Sequence, residues 1–150
     1  MKDTLHNAVL AMMLAAASTP FGVTLASPGQ SADHAISTKE MHERFGIEVQ
    51  GIRPTAGGYM LDFRYKVVDS EKAAGFLGHH LVPQLVDERR NARLITPAPP
   101  KVGPMRQTGA ALKDGRTYFV FFANPGKAVK AGDPVAVVLG DVTLRGLTVN

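Results

Sequence analysis

The chain has 150 residues, with 17 basic and 13 acidic side chains, 45% hydrophobic residues and no cysteine. That length allows one domain, and the missing thiols exclude disulfides, thiolate metal sites, cysteine nucleophiles and a lipoprotein anchor. A net charge of +4 suits weak attraction to acidic surfaces and falls short of a nucleic-acid footprint.

Residues 1–31 do not read as domain material. Lys2 precedes AVLAMMLAAA, Ala8 to Ala17, an unbroken apolar run that VTLA closes at Ala26; SPGQS then brings the helix breakers Pro28 and Gly29. This is the layout of a secretory signal peptide. Small residues permit cleavage after Ala26, with Thr24 two places before it, or after Ser31, with Gly29 two places before it. The competing expectation is an uncleaved anchor from Ala8 to Ala26, which Pro20, Gly22 and the hydroxyls of Ser18, Thr19 and Thr24 oppose. Lys2 and Asp3 are the only charged side chains lost on cleavage, so the net charge stays at +4. Export to the periplasm or the medium is therefore expected, of a domain of about 120 residues that stands on its hydrophobic core alone.

The spacing Ser37-Thr-Lys-Glu40 predicts a capping box and a short helix over Thr38 to Phe45, ended by Gly46. Residues 32–45 then form an N-terminal segment, and 46–150 a β domain. Ile47 to Arg53 reads as a strand, and PTAGG, Pro54 to Gly58, as the turn after it. YMLDFRYKVV alternates strictly. Tyr59, Leu61, Phe63, Tyr65 and Val67 share one face, and Met60, Asp62, Arg64, Lys66 and Val68 the other, as in a half-buried strand.

Asp69 caps a second short helix, Ser70 to Leu77, which Gly78 stops. Leu81 to Val86 is a strand whose Pro83 calls for an edge or a bulge, and DERRNA turns the chain back into Arg93 to Thr96. Pro97 to Gly115 is a 19-residue connector, a length that is commonly functional. Arg116 to Ala123 is apolar on both faces, the mark of a central strand. Val135 to Leu139, the turn Gly140-Asp141 and Val142 to Val149 make a closing hairpin. Seven strands with regular turn signals predict an all-β fold, an antiparallel immunoglobulin-like β-sandwich with one or two short helices.

Adjacent side chains on a regular strand face opposite ways, so His79 and His80 can share a metal only from a loop, which Gly78 permits. With His34, His42, Met41 and Met105 they form a candidate copper set, since imidazole and thioether are adequate ligands in an oxidising compartment. No pair among them has a diagnostic spacing. Cleavage after Ser31 would also place His34 third in Ala32-Asp33-His34, an amine-terminal arrangement suited to square-planar Cu(II).

Signs of catalysis are thin. Ser37 and Ser70 stand outside any nucleophile motif, and Ala56 to Gly58 lacks the helix and lysine of a phosphate loop. Asp62 and Glu48, brought together in the first hairpin, are better placed to pair with Arg64 and Arg53 than to act as acid and base. Arg89, Arg90 and Arg93 crowd one hairpin tip, with Lys101, Arg106 and Lys113 along the connector. Together they predict a basic face for a protein partner in the cell envelope. No aromatic residue is interleaved, so single-stranded nucleic acid is not expected. The first expectation is thus an exported accessory protein that binds a protein partner without catalysis or cofactor. Copper binding or delivery is the alternative, and a hydrolytic enzyme with an unadvertised site the second alternative.

Overall fold

Ser37-x-x-Glu40 does what its spacing predicts in the computed structural model, which describes residues 34–78, 81–107 and 111–150. The Ser37 backbone N–H donates to Glu40 Oε2 at 2.8 Å and the Glu40 N–H returns a bond to Ser37 Oγ at 3.2 Å. This reciprocal cap opens α1 (Thr38–Phe45). Gly46, in the left-handed region at φ 62°, ends it, and its N–H donates to the His42 carbonyl. Asp69 caps α2 (Ser70–Phe76) through the Lys72 N–H at 3.1 Å. The rings of Phe45 and Phe76 stack with centroids 4.1 Å apart and join the two helices.

The remaining order is strand. Eight strands stand among the described residues: β1 (His34–Ile36), β2 (Ile47–Thr55), β3 (Met60–Val67), β4 (Gln84–Asp87), β5 (Ala92–Ile95), β6 (Thr117–Ala123), β7 (Pro134–Leu139) and β8 (Val142–Thr148). Seven correspond to the expected strands. The eighth, β1, comes from the N-terminal segment and runs parallel to β8. The first sheet has the order β1-β8-β7-β4-β5 and the second β2-β3-β6. The chain is therefore mostly β, as its periodicity predicts, in two sheets with two short helices.

One apolar cluster draws on both sheets. β3 contributes Leu61, Phe63, Tyr65 and Val67, and β7 and β8 contribute Val135, Val137, Leu139, Val142, Leu144 and Leu147. Ile36 and Met41 join them from β1 and α1. Met41 is fully buried, and removing a side chain of that size from water stabilises by about 1.5–3 kcal/mol, which fixes α1 against the sheets. At the far end Val149 bridges Ile52, and the Asn150 N–H donates to the Ile52 carbonyl at 2.8 Å, tying the end of the first sheet's β8 to β2.

Two strand expectations need correction. β4 lies inside its sheet, between β7 and β5, and it begins at Gln84. Pro83 sits one residue before the ladder, so its missing N–H is never required. β6 is not central; it is the outer strand of its sheet, beside β3. The connector runs along its free edge, where Gln107 N–H donates to the Phe119 carbonyl at 3.2 Å and Phe121 N–H to the Met105 carbonyl at 2.9 Å. An outer strand covered in this way offers little edge for pairing with another chain.

Candidate functional site

Parts of both sheets and both helices enclose a recess of about 280 Å3, close to the lower end of the roughly 300–1,000 Å3 of small-molecule sites. Its floor is core. Phe63 and Tyr65 of β3, Tyr118 and Val120 of β6, Leu139 of β7 and Met41 of α1 all line it, and all are buried. Its rim is exposed and comes from Ala74 of α2, Gly78, and Ala111 and Arg116 near the end of the connector. Leu77, Leu81 and Leu112 are half-buried between floor and rim.

Polar groups in this wall are few and mostly of one sign. Arg106 and Arg116 both line it, and no described lining residue is acidic. The Arg116 guanidinium lies over the Tyr118 ring, 5.5 Å from its centroid, a favourable cation–π geometry. The Tyr118 ring in turn stacks on Tyr65 with centroids 5.9 Å apart. Tyr118 Oη accepts a hydrogen bond from the Lys113 N–H at 3.0 Å, which pins the connector to the floor. Burial pushes the Tyr65 hydroxyl up to about 12, against the opposing pull of the Arg106 charge. It therefore stays protonated at neutral pH. Gln107 adds a buried Oε1 that has no hydrogen-bond partner, an unusual state for a buried acceptor.

The residues singled out in the sequence are dispersed by the fold. Arg106 reaches the recess, but Arg89 and Arg90 do not join it there. Arg89 donates to Asp133 at 2.9 Å and Arg90 to the fully buried Asp87 at 2.7 Å. Asp87 also accepts the N–H groups of Arg89 and Arg90, at 2.9 and 3.2 Å. Burial alone would raise its carboxyl; the Arg90 guanidinium and these two N–H groups hold it below the usual range instead. The hairpin tip spends two of its three arginines on internal ion pairs. Arg93 donates to Gln84 and borders a separate polar cavity with Glu88, Asn91 and Arg145. Lys101 is exposed on the connector.

Among the metal candidates, His79 and His80 lie outside the described residues. His34 and His42 are exposed, Met41 is wholly inside the core, and Met105 is half-buried beside β6. Met41 and His42, adjacent on α1, thus differ completely in exposure. Among the described residues no three His, Asp or Glu side chains gather as a metal-binding group. Asp62 pairs with Arg64 at 2.9 Å and Arg53 at 3.5 Å, as its hairpin position predicts. Glu48 stands opposite Lys66, four register positions away along β3.

Sequence reasoning missed the recess as a unit, because its wall comes from separate points along the chain with no common spacing. The signals that could have pointed to it were the long connector and Arg116 immediately before the apolar run TYFVFF. No family model, curated protein or solved structure matches the chain.

Proposed function

We propose that this is an exported binding protein, without catalysis, whose working site is the recess between α2, the connector and the two sheets. One observation carries the reading: an apolar hollow of about 280 Å3 is floored by the core yet open at Ala74 and Ala111. Above that buried floor the half-buried Leu77, Leu81 and Leu112 keep apolar surface in contact with water that an occupying apolar molecule would cover. The described lining has no carboxylate, imidazole, serine or threonine, and its two phenols are respectively hydrogen-bonded and held protonated. Such a wall holds a molecule and has little with which to transform one. Export rests on the apolar run and breakers of residues 1–31. An immunoglobulin-like sandwich is the finer architecture we assign, supported by two sheets that share one core.

The test is titration with the neutral dye Nile red, with an Ala74→Trp variant as the blocked form. Stoichiometric binding that this exposed rim substitution abolishes, at unchanged melting temperature, supports the site. Absence of saturable binding to the native protein overturns it.

A protein partner is the second reading. It is favoured by β5, an end strand of its sheet, whose Ile95 is 60% exposed, and by Val102, 76% exposed on the connector beside Lys101. Both are apolar side chains that a docking surface would cover.

A further inference from the structure

We propose that the recess selects an apolar anion, a single-chain carboxylate or phosphate monoester, with its tail on the floor of Met41, Phe63, Val120 and Leu139 and its head beside Arg106 and Arg116. This rests on the recess being a binding site, and specifies what it binds.

The charge argument has three parts. Both lining residues with a formal charge are arginines, and no acidic side chain shares the described wall with them. Arg116 is tied to the recess by one of its tyrosines, lying 5.5 Å over the Tyr118 ring, and Arg106 lines the same wall. Arg116 has no carboxylate partner among the described residues; its guanidinium contact is that ring. A planar guanidinium is suited to paired hydrogen bonds with a carboxylate or phosphate head. It is also the cation that keeps such capacity while stacked on an aromatic face. On the same wall the buried Gln107 Oε1 stands without a partner. The carboxamide can present its oxygen to a head-group hydroxyl or, turned over, its N–H2 to an anionic oxygen.

An amine head would meet two like charges, and a neutral head would leave the Arg116 guanidinium without a charge partner. The floor, by contrast, is built of Met, Phe, Val and Leu together with the buried Tyr65 and Tyr118. A few polar groups on an otherwise apolar wall are what fixes the orientation of a bound amphiphile.

Calorimetric titration of the full chain as secreted, with octanoate, octyl phosphate, octanol and octylamine, tests this directly. The expected order is either acid first, octanol at least tenfold weaker and octylamine weakest; a single charge-assisted hydrogen bond accounts for a factor of that size. Preference for octanoate marks a free fatty acid as the source, and preference for octyl phosphate a lipid-derived head. Arg116→Gln and Arg106→Gln should each weaken the acid about tenfold while leaving octanol within about twofold. Octanol binding as tightly as both acids to the native protein overturns the selection while the recess itself stands. If none of the four probes binds, the recess reading falls with it. Thermal melts of both variants with and without octanol show whether the floor is intact, so lost acid binding with retained octanol binding is assigned to charge alone.

Discussion

Arg116, just before β6, lies two residues from Tyr118, the second residue of that strand, and the guanidinium of the first covers the ring of the second at 5.5 Å. The same ring sends its hydroxyl to the Lys113 N–H at 3.0 Å. One aromatic side chain therefore holds a cation at the mouth of the recess and ties down the connector that forms its rim. Tyr118→Phe keeps the ring and removes only the hydroxyl bond. Loss of one part-buried hydrogen bond should cost about 1 kcal/mol, a fall in melting temperature of about 3–5 °C for a domain of this size. Faster amide exchange at Lys113, with β6 amides unchanged, would place the loss in the connector. Unchanged exchange at Lys113 would mean that the hydroxyl does not restrain it.

Tyr65 gives a second expectation, in alkali. Its folded-state pKa of about 12 lies above the ordinary value of 10, because burial disfavours the phenolate. The folded state thus holds its proton more tightly than the unfolded chain. Its contribution to stability is complete below about pH 10, declines as pH rises, and is gone above about pH 12. Two pKa units correspond to about 2–3 kcal/mol. Other groups titrate in the same range, so the informative quantity is the difference between native protein and Tyr65→Phe. That difference in urea midpoint should change steadily between about pH 10 and pH 12. Parallel pH profiles would place the ionisation of Tyr65 outside the folding equilibrium.

How far such features could be read from sequence depends on how local their causes are. The cap of α1 was legible because Ser37 and Glu40 satisfy each other within one turn. The face of β3 was legible because alternation records which side is dry: Leu61, Phe63, Tyr65 and Val67 are all buried. Its ends and its other face were less so. Tyr59 shares the buried parity but precedes the strand and is 58% exposed, with Lys127 over its ring. Asp62 has the solvent parity yet is only 3% exposed, enclosed in part by Arg53 and Arg64. Neighbouring strands decide that, and single-strand periodicity carries no record of them. The same limit explains β6. Its doubly apolar pattern carries no record of which strand edges are paired, and here β3 takes one edge while the connector takes the other. The recess was the least legible, since Met41, Tyr65, Leu77, Arg106, Arg116 and Leu139 meet only after both sheets have formed.

The arginines of the hairpin tip lead to a prediction opposite to that of a plain basic surface. Arg90 lies 2.7 Å from the buried Asp87, and Arg89 2.9 Å from Asp133, itself only 7% exposed. Arg90→Glu would put a carboxylate where a buried carboxylate already sits and leave Asp87 with its backbone donors alone. Stability should fall by about 2–4 kcal/mol, seen as a loss in thermal midpoint before any partner is added. Lys101→Glu, on the exposed connector and free of described salt bridges, should leave the midpoint within about 0.5 kcal/mol. Asp87 adds a sign in acid. Its lowered folded pKa means that its stabilisation is present above the unfolded value and is lost as pH falls through the folded one. Asp87→Asn should therefore show a weaker acid dependence than the native protein. Equal midpoints for native and Arg90→Glu would remove the internal ion pair from the account.

Gly46 and Gly57 separate backbone strain from crowding. Both have left-handed φ angles, 62° and 65°, so alanine at either costs about 1 kcal/mol from conformation alone. Around Gly57 a new Cβ meets nothing within 4 Å; at Gly46 it would fall 2.5 Å from Asp69 Cβ and 2.7 Å from the Asp69 carbonyl oxygen. Those atoms are not free to retreat. Asp69 caps α2, and the N–H groups of Val68 and Asp69 donate to the Gly46 carbonyl at 2.8 and 3.2 Å. Gly46→Ala must push α2 away from α1, and α2 carries Ala74 on the rim of the recess. Its expected cost is about 3 kcal/mol or more, against about 1 for Gly57→Ala. Because the displaced element borders the site, Gly46→Ala should also weaken Nile red binding under conditions where it remains folded, whereas Gly57→Ala should leave binding unchanged. Equal losses of stability in the two variants would show that the close approach of Gly46 to Asp69 does not hold the helices together.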